Sequence, residues 1–519
     1  MLTRAQVSSL KDTNFDGHIR SGGVLRFLGL KLLLLASRFY IIEKLPLVGG
    51  LTKKVEGLAI GHLLENSHGV LKAVGNPNSA SIQEDSTPSS TASKIYDVVI
   101  IGSGPGGAIA ASKIDESSTV LVIEAGQGSR TRTDEHHTLK HVQNDFKNGG
   151  QELILNSELS LFAQAQVFGG GSEVNSGLYH KLPKSKYDEF LTKSNIELSK
   201  WLAHEEAISK LLKVNESPAD RNLSVIARGS EPLKLEFQNI PRWRTYTSGT
   251  TFTHHGMVGV IWEELQKKKN FEFLMNAKAT KVLKIGSHFE VQVNVLNVGT
   301  RLIAAKKIVM AAGATETPKI LMKSGIINWR DTRFQWHPMY RVIVETDKDD
   351  LGYGDIDPFQ SWTSNFKLKF GSAVSTPGLL ATALGQKIYD HKIDQLRSYY
   401  VSFSSSGKGG LLPKTSIPWY QFSEIDKKLK IEGINLLGKM VLEAGARPVM
   451  GMNPISSKSS TVHIFGSLPL DLDIYVPGTS RLKKHPDIQI ADGSILPIGP
   501  GVNPQGVVMT TVLSKIEFD

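Results

Sequence analysis

The chain contains no cysteine in its 519 residues. Disulfides, thiolate catalysis, Cys-ligated zinc and iron–sulfur clusters are therefore excluded, while the redox compartment stays open. Long apolar runs are also missing. The Leu-rich stretch 24–50 is cut by Arg26, Lys31, Arg38, Glu43 and Lys44, leaving runs far shorter than the ~20 residues that span a bilayer. It reads as a helix docked on the protein body, with peripheral membrane contact through residues 20–50 as the alternative. No cleavable secretory signal is seen, because the apolar stretch starts only after about 24 residues; the cytoplasm is the expected location. The net charge is +10, but residues 1–60 hold nine Lys/Arg against four Asp/Glu. That concentration, with a nearly balanced remainder, argues against a nucleic-acid partner. Asp12, Asn14 and Asp16 alternate like calcium ligands before Gly17, but the twelfth position is Gly23. A solvated turn is the better reading, and no metal site is expected.

What is present is concentrated at 94–128. An apolar run, Val98 to Ile101, reads as a buried parallel strand, then breaks into Gly102-Ser-Gly104-Pro-Gly-Gly107 and an Ala-rich helix. A second run, Val120 to Ile123, ends in Glu124. Gly102 permits the tight turn, Gly104 lets a pyrophosphate approach, and Gly107 lets helix and strand pack closely. The helix start offers free N–H groups to phosphates. Glu124 stands where a carboxylate accepts from ribose hydroxyls, which disfavours a 2′-phosphate and hence NADP. The ordered set predicts a dinucleotide site.

The length calls for at least two domains. Residues 76–93 are almost free of apolar side chains and read as a linker after an N-terminal extension, 1–75. Strand patterns recur at 270–313, 340–347 and 397–404, a helix at 422–446, and a loop feeding a buried helix at the C-terminus.

In this order the segments resemble the glucose–methanol–choline (GMC) oxidoreductases, FAD enzymes that oxidise alcohols. The likeness rests on Gly102–Gly107 with Glu124-Ala-Gly126; Gly169-Gly-Gly-Ser-Glu-Val-Asn175; Ala311-Ala-Gly-Ala-Thr-Glu-Thr-Pro318; His463 with Gly466; and Asp492-Gly-Ser494 with Asn503-Pro504. The departure is Ser467-Leu-Pro-Leu, where many members carry Cys or Ala and then Met-Gly.

The resemblance implies an α/β fold: a Rossmann-like, doubly wound FAD-binding domain (94–180, 260–335 and 455–519) beside an α+β substrate domain built on an antiparallel sheet (181–259 and 336–454). It implies FAD as cofactor. Gly102, Gly104, Gly107 and Glu124 would hold the ADP half, with Ala279 near the adenine. Gly170, Gly171 and Asn175 would line the pyrophosphate and flavin, and Asp492 with the backbone at Pro504 and Gln505 would meet the flavin and ribityl chain. His463 and Asn503 match the catalytic pair: proton removal from a small-molecule alcohol, then hydride transfer to flavin N5. The electron acceptor, oxygen or a carrier, stays open. Alternatives on the same fold are non-redox or light-driven chemistry, as in lyases or a decarboxylase, or an inactive flavin-binding module. His337 and the pair His254–His255 are read as structural.

Overall fold

The computed structural model describes residues 94–518, apart from 129–137, 218, 244, 248–250, 254, 255, 348, 350, 352–354 and 414, together with 57, 58, 60, 61 and 64. The calcium-like turn, the 20–50 stretch, the linker and His254–His255 lie outside the described residues.

The strand Ile95–Ile101 is apolar on both faces, as a parallel strand covered on both sides must be. Its four residues Val98 to Ile101 are at most 3% exposed. It pairs in parallel with Val120–Ile123 on one side and with the end of Gly299–Met310 on the other. Phe271–Leu274 and His485–Ile490 extend the sheet at either side, also in parallel. The order is therefore 485–490, 299–310, 95–101, 120–123, 271–274. The first strand in sequence sits in the middle, and the chain leaves it in both directions. This is a topological switch point, where a crevice opens beyond the carboxyl ends of the strands. Those ends deliver Gly102, Glu124, Ala311 and Ala491 to one place. The long strand Gly299–Met310 plays two parts, because its first half pairs antiparallel with His288–Val295 in a meander outside the crevice.

The second sheet has nine strands and is mainly antiparallel. Met339–Glu345 lies at its centre, paired with Leu396–Ser402, which pairs in turn with Lys369–Ala373. Side chains alternate between faces along a strand. Tyr340, Val342, Val344, Phe370, Tyr399 and Val401 pack into a core with the helix Glu424–Glu443. Ser423 caps that helix in a reciprocal box with Asp426. The other face presents Met339, Arg341, Ile343, Ser398 and Tyr400 to the crevice.

The boundary between the sheets is interlaced. Strands Glu152–Ile154 and Ser160–Phe162, inside the 94–180 stretch expected to serve the FAD half, join the antiparallel sheet. Ser460–Thr461 does the same, two residues before His463. Ile60 and Leu64 pack with Leu380, Ala381 and Leu384 of the helix Pro377–Leu384. No helix among the described residues is long and apolar enough to cross a membrane.

Candidate active site

A cavity of about 760 Å³ runs between the sheets. Gly102, Gly104, Glu124, Gly170, Gly171, Asn175, Ala279, His463, Asp492, Asn503, Pro504 and Gln505 all line it. Gly107, the remaining residue of the expected set, does not. A Cβ on Gly107 would lie 2.2 Å from the Gly102 carbonyl oxygen, so it serves the turn from beneath. Gly102 has φ +105°, and its Cβ would meet the Ala311 carbonyl oxygen at 2.2 Å. Only glycine fits there. The sequence reading missed Gly106, whose Cβ would fall 1.8 Å from the Ala491 carbonyl. The adjoining glycines of the fingerprint were the available signal.

Glu124 is buried and joins the turn to its neighbour strand. One carboxylate oxygen accepts from the Ser103 N–H (3.0 Å) and hydroxyl (2.6 Å), the other from the Gly126 N–H (2.8 Å). Burial nonetheless raises its pKa, against those hydrogen bonds. The oxygen that accepts from Gly126 has a second lone pair to offer, whereas the one facing Ser103 has both committed.

The far end of the crevice is built from three separate strands and a helix start. Asn175 donates to the Gln505 side chain at 2.5 Å and accepts from the Gly177 N–H at 2.9 Å. Gln505 opens the helix Gln505–Lys515, whose start lines the cavity through Pro504, Gln505 and Val508. Asp492 has a task the sequence did not suggest. One oxygen accepts from the Gly313 N–H at 2.9 Å and from Thr317, the other from the Ser494 N–H at 2.9 Å and its hydroxyl. With four donors committed, the carboxylate clamps the 311–317 turn to the 492–494 turn. A ligand there meets the scaffold that Asp492 fixes more than a free acid.

His463 faces a neighbour that the sequence reading set aside. Its Nδ1 lies 3.4 Å from Nδ1 of His337, with the rings nearly perpendicular at 86°. His337 Nε2 is 3.5 Å from the Ser404 hydroxyl, which donates to the Gly499 carbonyl at 3.3 Å. The hydroxyl has one proton and spends it on the carbonyl, so it accepts from His337. Neutral His337 then carries its proton on Nε2 and accepts at Nδ1. With the chain running in this direction, His463 donates from Nδ1 and keeps its lone pair on Nε2. Both rings are held neutral. Burial pushes the His337 pKa down to about 3. His463 is pushed well below its ordinary value by burial, then by His337, Lys369, His180 and Arg341.

Asn503 is oriented by a second missed residue. Lys369, 2% exposed, donates to Asn503 Oδ1. In its charged form the ammonium has no acceptor and meets the amide oxygen. The Asn503 NH₂ group is thereby turned away from Lys369. Burial drops the Lys369 pKa from 10.5 to about 7.

The acids lining the cavity, Glu124, Glu316 and Asp492, all belong to the nucleotide side. At that side Glu316 pairs with Lys147 at 2.8 Å and Lys278 at 3.7 Å, and the two lysines hold its pKa down at about 2 despite burial. Around His463 stand His337, His180, Lys369 and Arg341, of which the arginine carries a fixed positive charge and the lysine a titrating one.

Comparison with known proteins agrees with this geometry. The family description "GMC oxidoreductase" matches residues 106–339. That match spans a little under half of the chain, which is to this extent similar to the GMC oxidoreductases. An uncharacterised GMC-type oxidoreductase, y4nJ of Sinorhizobium fredii, is 22% identical over 471 residues, covering 80% of this chain and 92% of that protein. The long-chain-alcohol oxidase FAO3 of Arabidopsis thaliana is 33% identical over 154 residues, 28% of this chain and 20% of that protein. The crystal structure of pyridoxine 4-oxidase from Mesorbium loti superposes with a TM-score of 0.61 at 14% identity, covering 80% of this chain and 98% of that one. At that identity the last match speaks for the fold alone, a GMC flavoprotein fold with a Rossmann-like half. GMC oxidoreductases are generally FAD proteins. The residues present here fit that group: a glycine cradle that a Cβ would fill, a buried acid beside it, and a helix start at the opposite end.

Proposed function

We propose that this protein oxidises the CH–OH group of a small alcohol to a carbonyl with bound FAD, and that His463 and Asn503 are the catalytic residues. Gly102, Gly104, Gly170 and Gly171 would receive the pyrophosphate, Glu124 a ribose, Ala279 the adenine side, and Asn175, Pro504 and Gln505 the flavin side. FAD, when bound, supplies the acceptor for the hydride leaving the carbinol carbon.

The observation that carries the reading is the chain of contacts Gly499–Ser404–His337–His463, which ends on an imidazole lining the cavity. With its proton on Nδ1, a neutral imidazole accepts the hydroxyl proton at Nε2. The Asn503 amide, turned outward by Lys369, donates to the same oxygen. The surrounding cations disfavour an imidazolium but favour an alkoxide. They therefore weaken His463 as a resting base and stabilise the oxygen charge that develops as the proton leaves.

The test is anaerobic mixing of the purified yellow protein with alcohols of several classes, following loss of the flavin band near 450 nm. Bleaching by an alcohol in the wild type, and its loss in an FAD-containing His463→Ala variant, is the expected result. Bleaching at wild-type rate in His463→Ala would remove the residue from the mechanism. Admission of oxygen afterwards separates an oxidase from a dehydrogenase.

A further inference from the structure

Three cations line the cavity: Lys147, Lys278 and Arg341. The first two share Glu316. Arg341 is different. It stands on the central strand of the antiparallel sheet, directly opposite Tyr400, and donates one N–H to the Ser460 hydroxyl. Among the described residues no carboxylate lies within ion-pair distance of it. A guanidinium has five N–H donors in a planar fork, so most of this one is left for whatever enters the cavity. Burial lowers its pKa, yet at such a starting value the group stays charged. An unpaired buried charge is costly to a fold, and here the remaining donors open onto a cavity, not onto packed protein.

The chemistry of the walls narrows the partner. Arg341 shares its side of the cavity with apolar Ile343, Ile356 and Met450 and with the hydroxyls of Ser398, Tyr400 and Ser460. A single planar fork in a wall that also carries hydrocarbon matches a carboxylate on a partly apolar body. The cofactor is a poor candidate for the same contact, since the glycine cradle lies on the other sheet. We propose that Arg341 anchors a carboxylate on the substrate, so that the alcohol turned over at His463 is a hydroxycarboxylic acid. This deepens the alcohol-oxidising reading and rests on it. Lys369 nearby, with no acid among the described residues that line this side of the cavity, supports an anion in the same volume.

The test compares ω-hydroxycarboxylates with α,ω-diols of equal chain length, from short to long, by anaerobic flavin reduction. Wild-type enzyme should favour the hydroxy acid at its best length. Arg341→Met should cut the acid-to-diol ratio of kcat/KM by about 10²-fold, as expected for a lost charge-assisted bidentate contact. Arg341→Lys, which keeps the charge but not the fork, should fall between, and it decides the matter alone if Arg341→Met does not fold. A ratio that does not move in these variants overturns the proposal. A second readout needs no turnover: octanoate titrated into the FAD-loaded protein should perturb the flavin spectrum saturably, at least tenfold more weakly in the variants. Absence of saturable binding in wild type also overturns it. If octanoate binds through Arg341 while neither class of alcohol bleaches the flavin, the carboxylate site stands and the alcohol-oxidising reading fails.

Discussion

Replacing Lys369 by Met should stabilise the protein and slow it. The wild-type lysine is buried without a carboxylate, and its pKa falls from 10.5 in the unfolded chain to about 7 in the folded one. Between those values the unfolded chain holds a proton that the folded chain has shed, so wild-type stability rises with pH across this window. Below pH 7 the full cost applies. That difference corresponds to about 5 kcal/mol. Methionine removes that cost at similar volume but strands the Asn503 oxygen, for about 1–3 kcal/mol. The net gain should be about 2–4 kcal/mol at pH 6, shrinking toward zero or reversing near pH 10.5. Thermal melting of both FAD-loaded proteins from pH 6 to 10 measures it. The variant should melt a few degrees higher at the acid end, with the two curves converging as pH rises. Turnover should fall about tenfold at the same time, because the Asn503 amide is free to flip. A variant that is less stable at pH 6, or whose advantage is flat with pH, would refute the account of Lys369 as a buried, strained cation.

Other expectations follow from the same geometry. His463→Ala should retain FAD and lose more than the ~10²-fold expected of a weak acid–base group, read in single-turnover flavin reduction. His337→Phe should keep the fold and the flavin spectrum but lower kcat by about 10–10²-fold, since His463 is then free to adopt the tautomer with its proton on Nε2; an unchanged rate sinks the proton-direction argument. Because burial and neighbouring cations hold the His463 pKa well below 6.5, the base stays deprotonated as pH falls, and the acid limb of the kcat/KM profile should lie below pH 6.5. Gly102→Ala should yield colourless protein, as its Cβ would sit 2.2 Å from a backbone oxygen that cannot move aside, and absorbance at 450 nm per chain checks this.

The nucleotide half was legible because one βαβ unit builds it. Gly102 and Glu124 are 22 positions apart, and the strand, turn and helix between them carry their own signals in apolar runs and glycines. The long helix at 424–443 and the strands at 339–345 and 396–402 were visible for the same reason, being set by local periodicity and capping. The task of Asp492 was not visible, because its four donors come from Gly313, Thr317 and Ser494, two of them far away in sequence. Nor could a period-two pattern say which strands join which sheet, so 152–162 was assigned with its neighbours in sequence.

The sequence by itself pointed to a dinucleotide site, to the resemblance with the GMC oxidoreductases, and to the imidazole and amide proposed at 463 and 503, each through motifs of a few neighbouring residues. Only the tertiary structure decided how those groups are set. His337 meets His463 from 126 positions away, Lys369 meets Asn503 from 134, and Arg341 reaches the cavity by the register of a sheet. Proton direction, amide orientation and local potential are properties of pairs in space, and strand pairing between distant segments leaves no trace in the spacing of either partner.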